Sequence, residues 1–292
     1  MVAKLALGPA SQSLGNSLSA KLHLERATVF WKEFSDGETY VRIEGTSPGD
    51  DLIIVQSLSP PQAKNMITLL QMASAAKGVG VGRILAAVPY LAYSRQDKRF
   101  LSGEALSAEL VARALEASGI ERVYVVEPHS EESLSFFSVP VVAVRPFEDI
   151  VRFLKERDDH LIVAPDEKRT SDAKQLASLL ATEFGWMEKT RDRTTGAIAS
   201  KIGNIPRGRR SALIFDDIIG TGGTIAEAAK LLRSIGFERI EAGCVHGLFV
   251  QGADQRMKAA GVNYVFSSDT VEGAFTEYSV ADSLAKSIEK DI

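Results

Sequence analysis

Short, near-continuous apolar runs alternate along this chain with longer stretches whose apolar residues recur every three or four positions. The runs fall at 2–7 (VAKLAL), 51–57 (DLIIVQS), 83–90 (RILAAVPY) and 122–128 (RVYVVEP), then at 160–166 (HLIVAPD), 211–217 (SALIFDD), 241–247 (EAGCVHG) and 262–268 (VNYVFSS). Their length and β-branched content predict strands. The periodic stretches, at 64–77, 103–119, 168–183, 223–235 and 252–260, predict helices, with a last one at 280–290. Strands that are apolar throughout are covered on both faces, and the intervening helices supply the cover. The expected fold is therefore α/β, with two doubly wound parallel-sheet domains. Residues 1–145 form the first and 146–278 the second, with the boundary at Arg145–Pro146, while 279–292 make a C-terminal helix able to pack back on the first domain. The halves match in architecture but show no residue-level repeat.

Composition narrows the class. Of 292 residues, 45% are hydrophobic and 25% charged, the balance of an ordinary soluble protein. A net charge of −4 argues against a nucleic-acid partner, which needs a basic face. The single cysteine, Cys244, has no intramolecular partner, which points to a reducing compartment. Residues 1–15 lack the apolar core of a signal peptide, and no apolar run approaches the ~20 residues of a membrane span. The expected location is the cytoplasm, with no membrane partner.

Open parallel sheets bind ligands beyond the carboxyl ends of their strands, and the unusual residues of this chain collect there. LIFDDIIGTGGTI (213–225) reads as a strand over 211–215, a loop, and a helix opening near Gly223. Glycines let backbone amides approach an anion, and a helix N-terminus adds its positive dipole. Thr221 and Thr224 can donate hydroxyls to a phosphate, and Asp216 and Asp217 can accept from adjacent sugar hydroxyls. The alternative is a capped turn with Thr224 as N-cap and no ligand. FSDGE (34–38) reads either as a plain hairpin turn or as a ligand loop. YSRQDKR (93–99) reads either as a solvated helix entry or as a grip on a polyphosphate, with Arg95 as a forked donor. His129 and Asp166 each follow a strand, one per domain, where they are structural or hold a divalent metal. MEKTRDRTTG (187–196), in the connection before the strand at 211, is a charged surface loop or a mobile carrier of cations.

Taken together, the motifs FSDGETYVRI (34–43), PYLAYSRQDKRF (89–100), VVEPHS (125–130), PDEKRTSDAKQLA (165–177) and DDIIGTGGT (216–224) resemble the ribose-phosphate pyrophosphokinase family, over nearly the whole chain. The spacing is closest to the compact archaeal forms, so the regulatory site of longer members is not assumed. The resemblance implies the phosphoribosyltransferase-like fold, with two related domains and the active site between them. It implies transfer of the diphosphate of ATP to the 1-hydroxyl of ribose 5-phosphate, with Mg²⁺ as cofactor, in a pathway of nucleotide biosynthesis. By the same resemblance Phe34, Asp36, Gly37, Glu38, Arg95, Gln96, Asp97 and Arg99 contact ATP, and His129 and Asp166 hold magnesium. Asp216, Asp217 and Gly220, Thr221, Gly222, Gly223 and Thr224 bind ribose 5-phosphate, while Lys189 and Arg191 are catalytic, Arg191 also touching ribose 5-phosphate. The 34–38 loop of such proteins reaches a neighbouring subunit's site, implying a homo-oligomer, at least a dimer. Gly220 departs from the family, where an acidic residue is common; one sugar hydroxyl contact is expected to be lost or taken over by water, with phosphate binding by backbone amides surviving. A non-catalytic regulatory subunit and a phosphoribosyltransferase are the competing readings. Formation of AMP from ATP and ribose 5-phosphate separates them.

Overall fold

The computed structural model describes residues 2–155, 157, 160–191 and 198–292. It divides into two compact units: residues 1–146 with 269–272 and 279–292, and residues 147–268 with 273–278.

The first unit is built on a seven-stranded sheet in the order β3-β2-β1-β4-β5-β6-β7. Its strands are β1 (Ala3–Leu7), β2 (Arg26–Glu33), β3 (Thr39–Glu44), β4 (Asp51–Val55), β5 (Ile84–Val88), β6 (Arg122–Val126) and β7 (Val141–Val144). β4 and β5 are buried at every position, as their unbroken apolar runs require of central parallel strands. The covering helices are α1 (Gln12–Leu22), α2 (Gln62–Val79), α3 (Ser107–Ala117) and the short α4 (Glu131–Leu134). α2 buries Asn65, Thr68, Leu69, Met72, Ala73 and Ala76, a stripe at helical spacing. It stops at Gly80, whose left-handed backbone returns an amide to Ala76 and Lys77 carbonyls.

The second unit repeats the plan: α5 (Phe147–Leu154), β8 (Leu161–Ala164), α6 (Thr170–Leu180), β9 (Phe184–Arg191), β10 (Ile198–Asn204), β11 (Ser211–Ile219), α7 (Gly223–Ser234), β12 (Arg239–Gly247), α8 (Ala253–Ala259), β13 (Tyr264–Ser268) and β14 (Thr276–Tyr278). The sheet order is β10-β9-β8-β11-β12-β13-β14. Ile214, Ala228, Leu232, Ile240 and Met257 are among the residues of its core. The last helix, α9 (Ala281–Ile288), belongs to the first unit and packs on α1.

Both sheets are parallel except at one edge, where each ends in an antiparallel hairpin, β2–β3 and β9–β10. Residues 187–191, the described part of the stretch expected to be a loop (187–196), lie instead on β9. The helix expected from 103 starts at Ser107, and the one expected from 168 begins as a 3₁₀ turn, Glu167–Arg169, before α6.

Candidate active site

β11 runs further than its apolar core suggests. The strand was expected to stop at Phe215, yet its pairing with β12 continues to Ile219 opposite Gly247, so Asp216 and Asp217 are strand residues. Burial of Ile218 and Ile219 keeps the chain extended past the acids. Two adjacent carboxylates repel unless a cation compensates them, and Arg169 does so. Its Nη2 pairs with Asp217 Oδ2, its Nε lies 3.8 Å from Asp216 Oδ1, and its Nη1 lies 3.2 Å from Asp172 Oδ2. The Asp217 amide donates to Asp216 Oδ1 at 2.9 Å. Burial, and then the charge of Asp217, push Asp216 well above the usual carboxylate range, against the pull of Arg169. The pair offers a hydroxyl-rich ligand several acceptor oxygens.

Arg169 is the residue that sequence reasoning missed. It lies in PDEKRTSDAKQLA, where only Asp166 was singled out. The available signal was topological: it follows β8, which pairs directly with β11, so the two loops share one edge of the sheet.

Beyond β11 the chain turns through Gly220, Thr221 and Gly222 into α7. Its N-cap residue is Gly222, in a left-handed conformation (φ 71°), which makes no side-chain cap. Thr224 is already inside the helix, so the capped-turn reading with Thr224 as N-cap fails. The result is a helix N-terminus without a side-chain cap beside two threonines and a compensated acid pair, a combination suited to a phosphorylated polyol.

In the first unit, Phe34–Glu38 is the connection of the β2–β3 hairpin. Phe34 N–H donates to Glu38 O at 2.8 Å, Gly37 N–H to Phe34 O at 2.9 Å, and Asp36 Oδ1 accepts from Glu38 N–H at 3.1 Å. Gly37 carries φ 93°, which a residue with a side chain adopts reluctantly. The hairpin reading is thus correct for the backbone, while Phe34, Asp36 and Glu38 stand exposed.

Arg95, Gln96, Asp97 and Arg99 follow β5 as an irregular segment rather than a helix entry. The Gln96 amide donates to Tyr93 O at 2.9 Å, and Arg99 Nε to Glu104 O at 2.9 Å. Asp97 Oδ2 accepts from Ser130 Oγ at 2.6 Å, which ties this segment to the loop carrying His129 after β6. Glu127, two residues before His129, has a left-handed φ of 39° and pairs with Arg145, which also meets Glu131 at 2.5 Å.

Asp166 follows β8, and its Oδ1 accepts from the Lys168 amide at 3.1 Å, capping the 3₁₀ turn. Among the described residues no cluster of three or more His, Cys, Asp or Glu side chains forms a metal cage. A carboxylate such as Asp166 nevertheless suits Mg²⁺, which uses few protein ligands and retains waters. Lys189 and Arg191 lie on β9, opposite Ser200 and Ile198 of β10. Their side chains, and residues 192–197 of the expected loop, lie outside what the structure describes.

A family model of the N-terminal domain of ribose phosphate pyrophosphokinase matches residues 3–119, and a phosphoribosyl transferase domain model matches 147–283. The chain is 37% identical to a ribose-phosphate pyrophosphokinase of Saccharolobus solfataricus, over 90% of this chain and 91% of the relative. It is 36% identical to that of Methanothermobacter thermautotrophicus, over 94% and 96%. Among solved structures it resembles a phosphoribosylpyrophosphate synthetase from Mycobacterium smegmatis, with a TM-score of 0.85 and 28% identity over 99% of this chain and 98% of that one.

Proposed function

The chain belongs to the ribose-phosphate pyrophosphokinase family, and from that premise we propose how its own residues divide the reaction. As an enzyme of this family it transfers the diphosphate of ATP to the 1-hydroxyl of ribose 5-phosphate. The hydroxyl oxygen attacks the β-phosphorus and releases its proton to the medium, the bond between the β-phosphorus and the α,β-bridging oxygen breaks, AMP leaves with the electron pair, and 5-phosphoribosyl 1-diphosphate remains.

The observation that carries the division of roles is the acid pair Asp216–Asp217, clamped by Arg169 immediately ahead of the N-terminus of α7, which has no side-chain cap. Asp216 and Asp217 take the ribose hydroxyls, and Gly220–Thr224 takes the 5-phosphate through backbone amides and threonine hydroxyls. ATP is held by the first unit, through Phe34, Asp36, Gly37 and Glu38 at the tip of the hairpin and through Arg95, Gln96, Asp97 and Arg99. Phosphoryl transfer depends on positive charge placed against the group in flight. Lys189 and Arg191 supply it, Arg191 also contacting ribose 5-phosphate. Mg²⁺, held by Asp166 and His129, neutralises charge on the ATP phosphates when bound.

The working form is a homo-oligomer, at least a dimer. Supporting this, the distal half of the β2–β3 hairpin exposes Phe30, Trp31, Phe34 and Tyr40, an aromatic surface that a second copy would cover. Among the described residues no helix is long and apolar enough to cross a membrane, and the proposed location is the cytoplasm. The decisive experiment incubates the protein with ATP, Mg²⁺ and ribose 5-phosphate and follows AMP by chromatography. AMP and 5-phosphoribosyl 1-diphosphate in equal amounts are expected. Absence of AMP sinks the assignment.

A further inference from the structure

The connection from β12 to α8 runs behind the Gly220–Thr224 loop, and its backbone is unusual. Phe249 and Gln251 both hold left-handed φ angles, 41° and 55°. Non-glycine residues persist there only where surrounding contacts over-determine them. Those contacts are with the end of β11 and the loop after it. Leu248 and Phe249 amides donate to Ile219 O at 3.0 and 3.1 Å, and the Val250 amide donates to Gly220 O at 3.0 Å. Gly222 lies against α8 so closely that a Cβ there would meet Met257 Cγ at 3.0 Å and Ala253 O at 3.2 Å. Arg256 of α8 completes the bracket. Its Nη1 donates to Thr221 O, and its Nη2 lies 3.5 Å from Gln251 O.

A trans peptide carries its C=O and N–H on opposite sides. Drawing the Thr221 carbonyl toward Arg256 therefore aims the Gly222 amide the other way, off the side occupied by the arginine. The guanidinium also offsets the partial negative charge that this carbonyl would present to a bound anion. We propose that Arg256 is a positioning residue for the phosphate end of the sugar substrate, acting through the Thr221–Gly222 peptide. The inference rests on reading Gly220–Thr224 as the phosphate cradle.

Steady-state kinetics of Arg256→Met and Arg256→Lys, with ATP and ribose 5-phosphate varied in turn, test it. Arg256→Met keeps the aliphatic stem and loses the donors. It should raise the KM for ribose 5-phosphate about tenfold, the scale of one charge-assisted hydrogen bond, with the KM for ATP and the Tm unchanged. Arg256→Lys should recover most of the loss. An unaltered KM for ribose 5-phosphate in Arg256→Met, or an equal rise in both KM values, overturns the positioning role. Asp217→Asn is measured alongside. If it raises the ribose 5-phosphate KM while Arg256→Met does not, only the role of Arg256 falls; if neither variant does, the cradle reading falls as well.

Discussion

The two units share one strand order and differ in what fills its corners. The second sheet's order is the first's with every strand number advanced by seven, so β4 corresponds to β11. Beyond β4 the corner is occupied by the chain itself. Gln56 Oε1 accepts from the Ala10 amide at 3.2 Å, and its Nε2 donates to Asn65 Oδ1 at 3.2 Å. Asn65 Nδ2 donates to Ser59 O at 2.7 Å, and the Ser57 amide to Ser11 Oγ at 2.8 Å. At the end of β11 two acids lie within the strand, and beyond it come a glycine-threonine loop and a helix start without a side-chain cap. Topology offers equivalent crevices, and the one we propose to bind is the one whose loop amides carry no side-chain cap.

The opposite edges of the sheets make the complementary point. There, buried acids are paired for stability. Asp51 at the start of β4 meets Arg83 Nε at 3.0 Å. Glu241 on β12 meets Arg239 Nη2 at 2.7 Å, Arg157 Nη1 at 3.1 Å and His160 Nε2 at 3.5 Å. Burial pushes the Glu241 carboxyl up, but His160 and Arg239 outweigh it and hold it down to about 2. A second contrast lies beyond the equivalent strands β6 and β13. Glu127 has Arg145 as a counter-ion. Asp269 accepts from the Val280 amide at 3.0 Å and from Ser279, with the like charge of Glu272 nearby. Burial drives its carboxyl up to about 6.

The largest expected effect separates the hairpin of the second unit, proposed to be catalytic, from its counterpart in the first. Lys189→Ala should lower kcat by ~10²–10³, the cost of one positioned donor, with the Tm unchanged. A near-normal kcat would make β9–β10 no more catalytic than β2–β3. Glu241→Gln tests the other edge. It should cost about 3 kcal/mol in denaturant melts, because it removes one partner of a buried ion network, and leave both KM values alone. Since the native Glu241 carboxyl sits below its ordinary value, its stabilisation is present above pH ~4.5 and fades as pH falls toward 2. A kinetic rather than thermodynamic defect would break the division between the edges.

Asp269→Asn has the opposite sign. The native carboxyl binds its proton more tightly than the unfolded one, so its contribution to stability is full below pH ~4 and is lost as pH rises through about 6. The asparagine variant should escape that loss and gain on the order of 2 kcal/mol at pH 7. Parallel stability profiles for the two proteins between pH 4 and 7 would refute this. The smallest effect is at Gly220. A Cβ there meets nothing within 4 Å, and the backbone is not left-handed, so the corner has room for the acidic residue common in the family. Gly220→Asp should lower the KM for ribose 5-phosphate a few-fold, about one neutral hydrogen bond's worth. A raised KM would show that the glycine is needed for the loop's shape.

The amino-acid sequence by itself determined the parallel cores and the sugar-phosphate motif. Both are local signals: LIIV (52–55) and ALIF (212–215) are apolar at every position because both faces are covered, and an Asp-Asp pair ahead of Thr-Gly-Gly-Thr carries its chemistry within nine residues. Of the edge hairpins only the Asp36–Gly37 turn was legible, not the strands on either side of it. From Phe30 onward most of the β2–β3 hairpin is exposed whichever face its side chains take, so no alternation of apolar and polar positions marks it. The arginines that meet the acid pair and its loop were hidden for a different reason. Arg169 and Asp217 are separated by 48 residues, as are Thr221 and Arg256 by 35. Each pair meets because parallel neighbouring strands bring their carboxyl-terminal loops to one edge. Charge compensation and peptide orientation act over a few ångströms of space, and only the tertiary structure decides which residues share them.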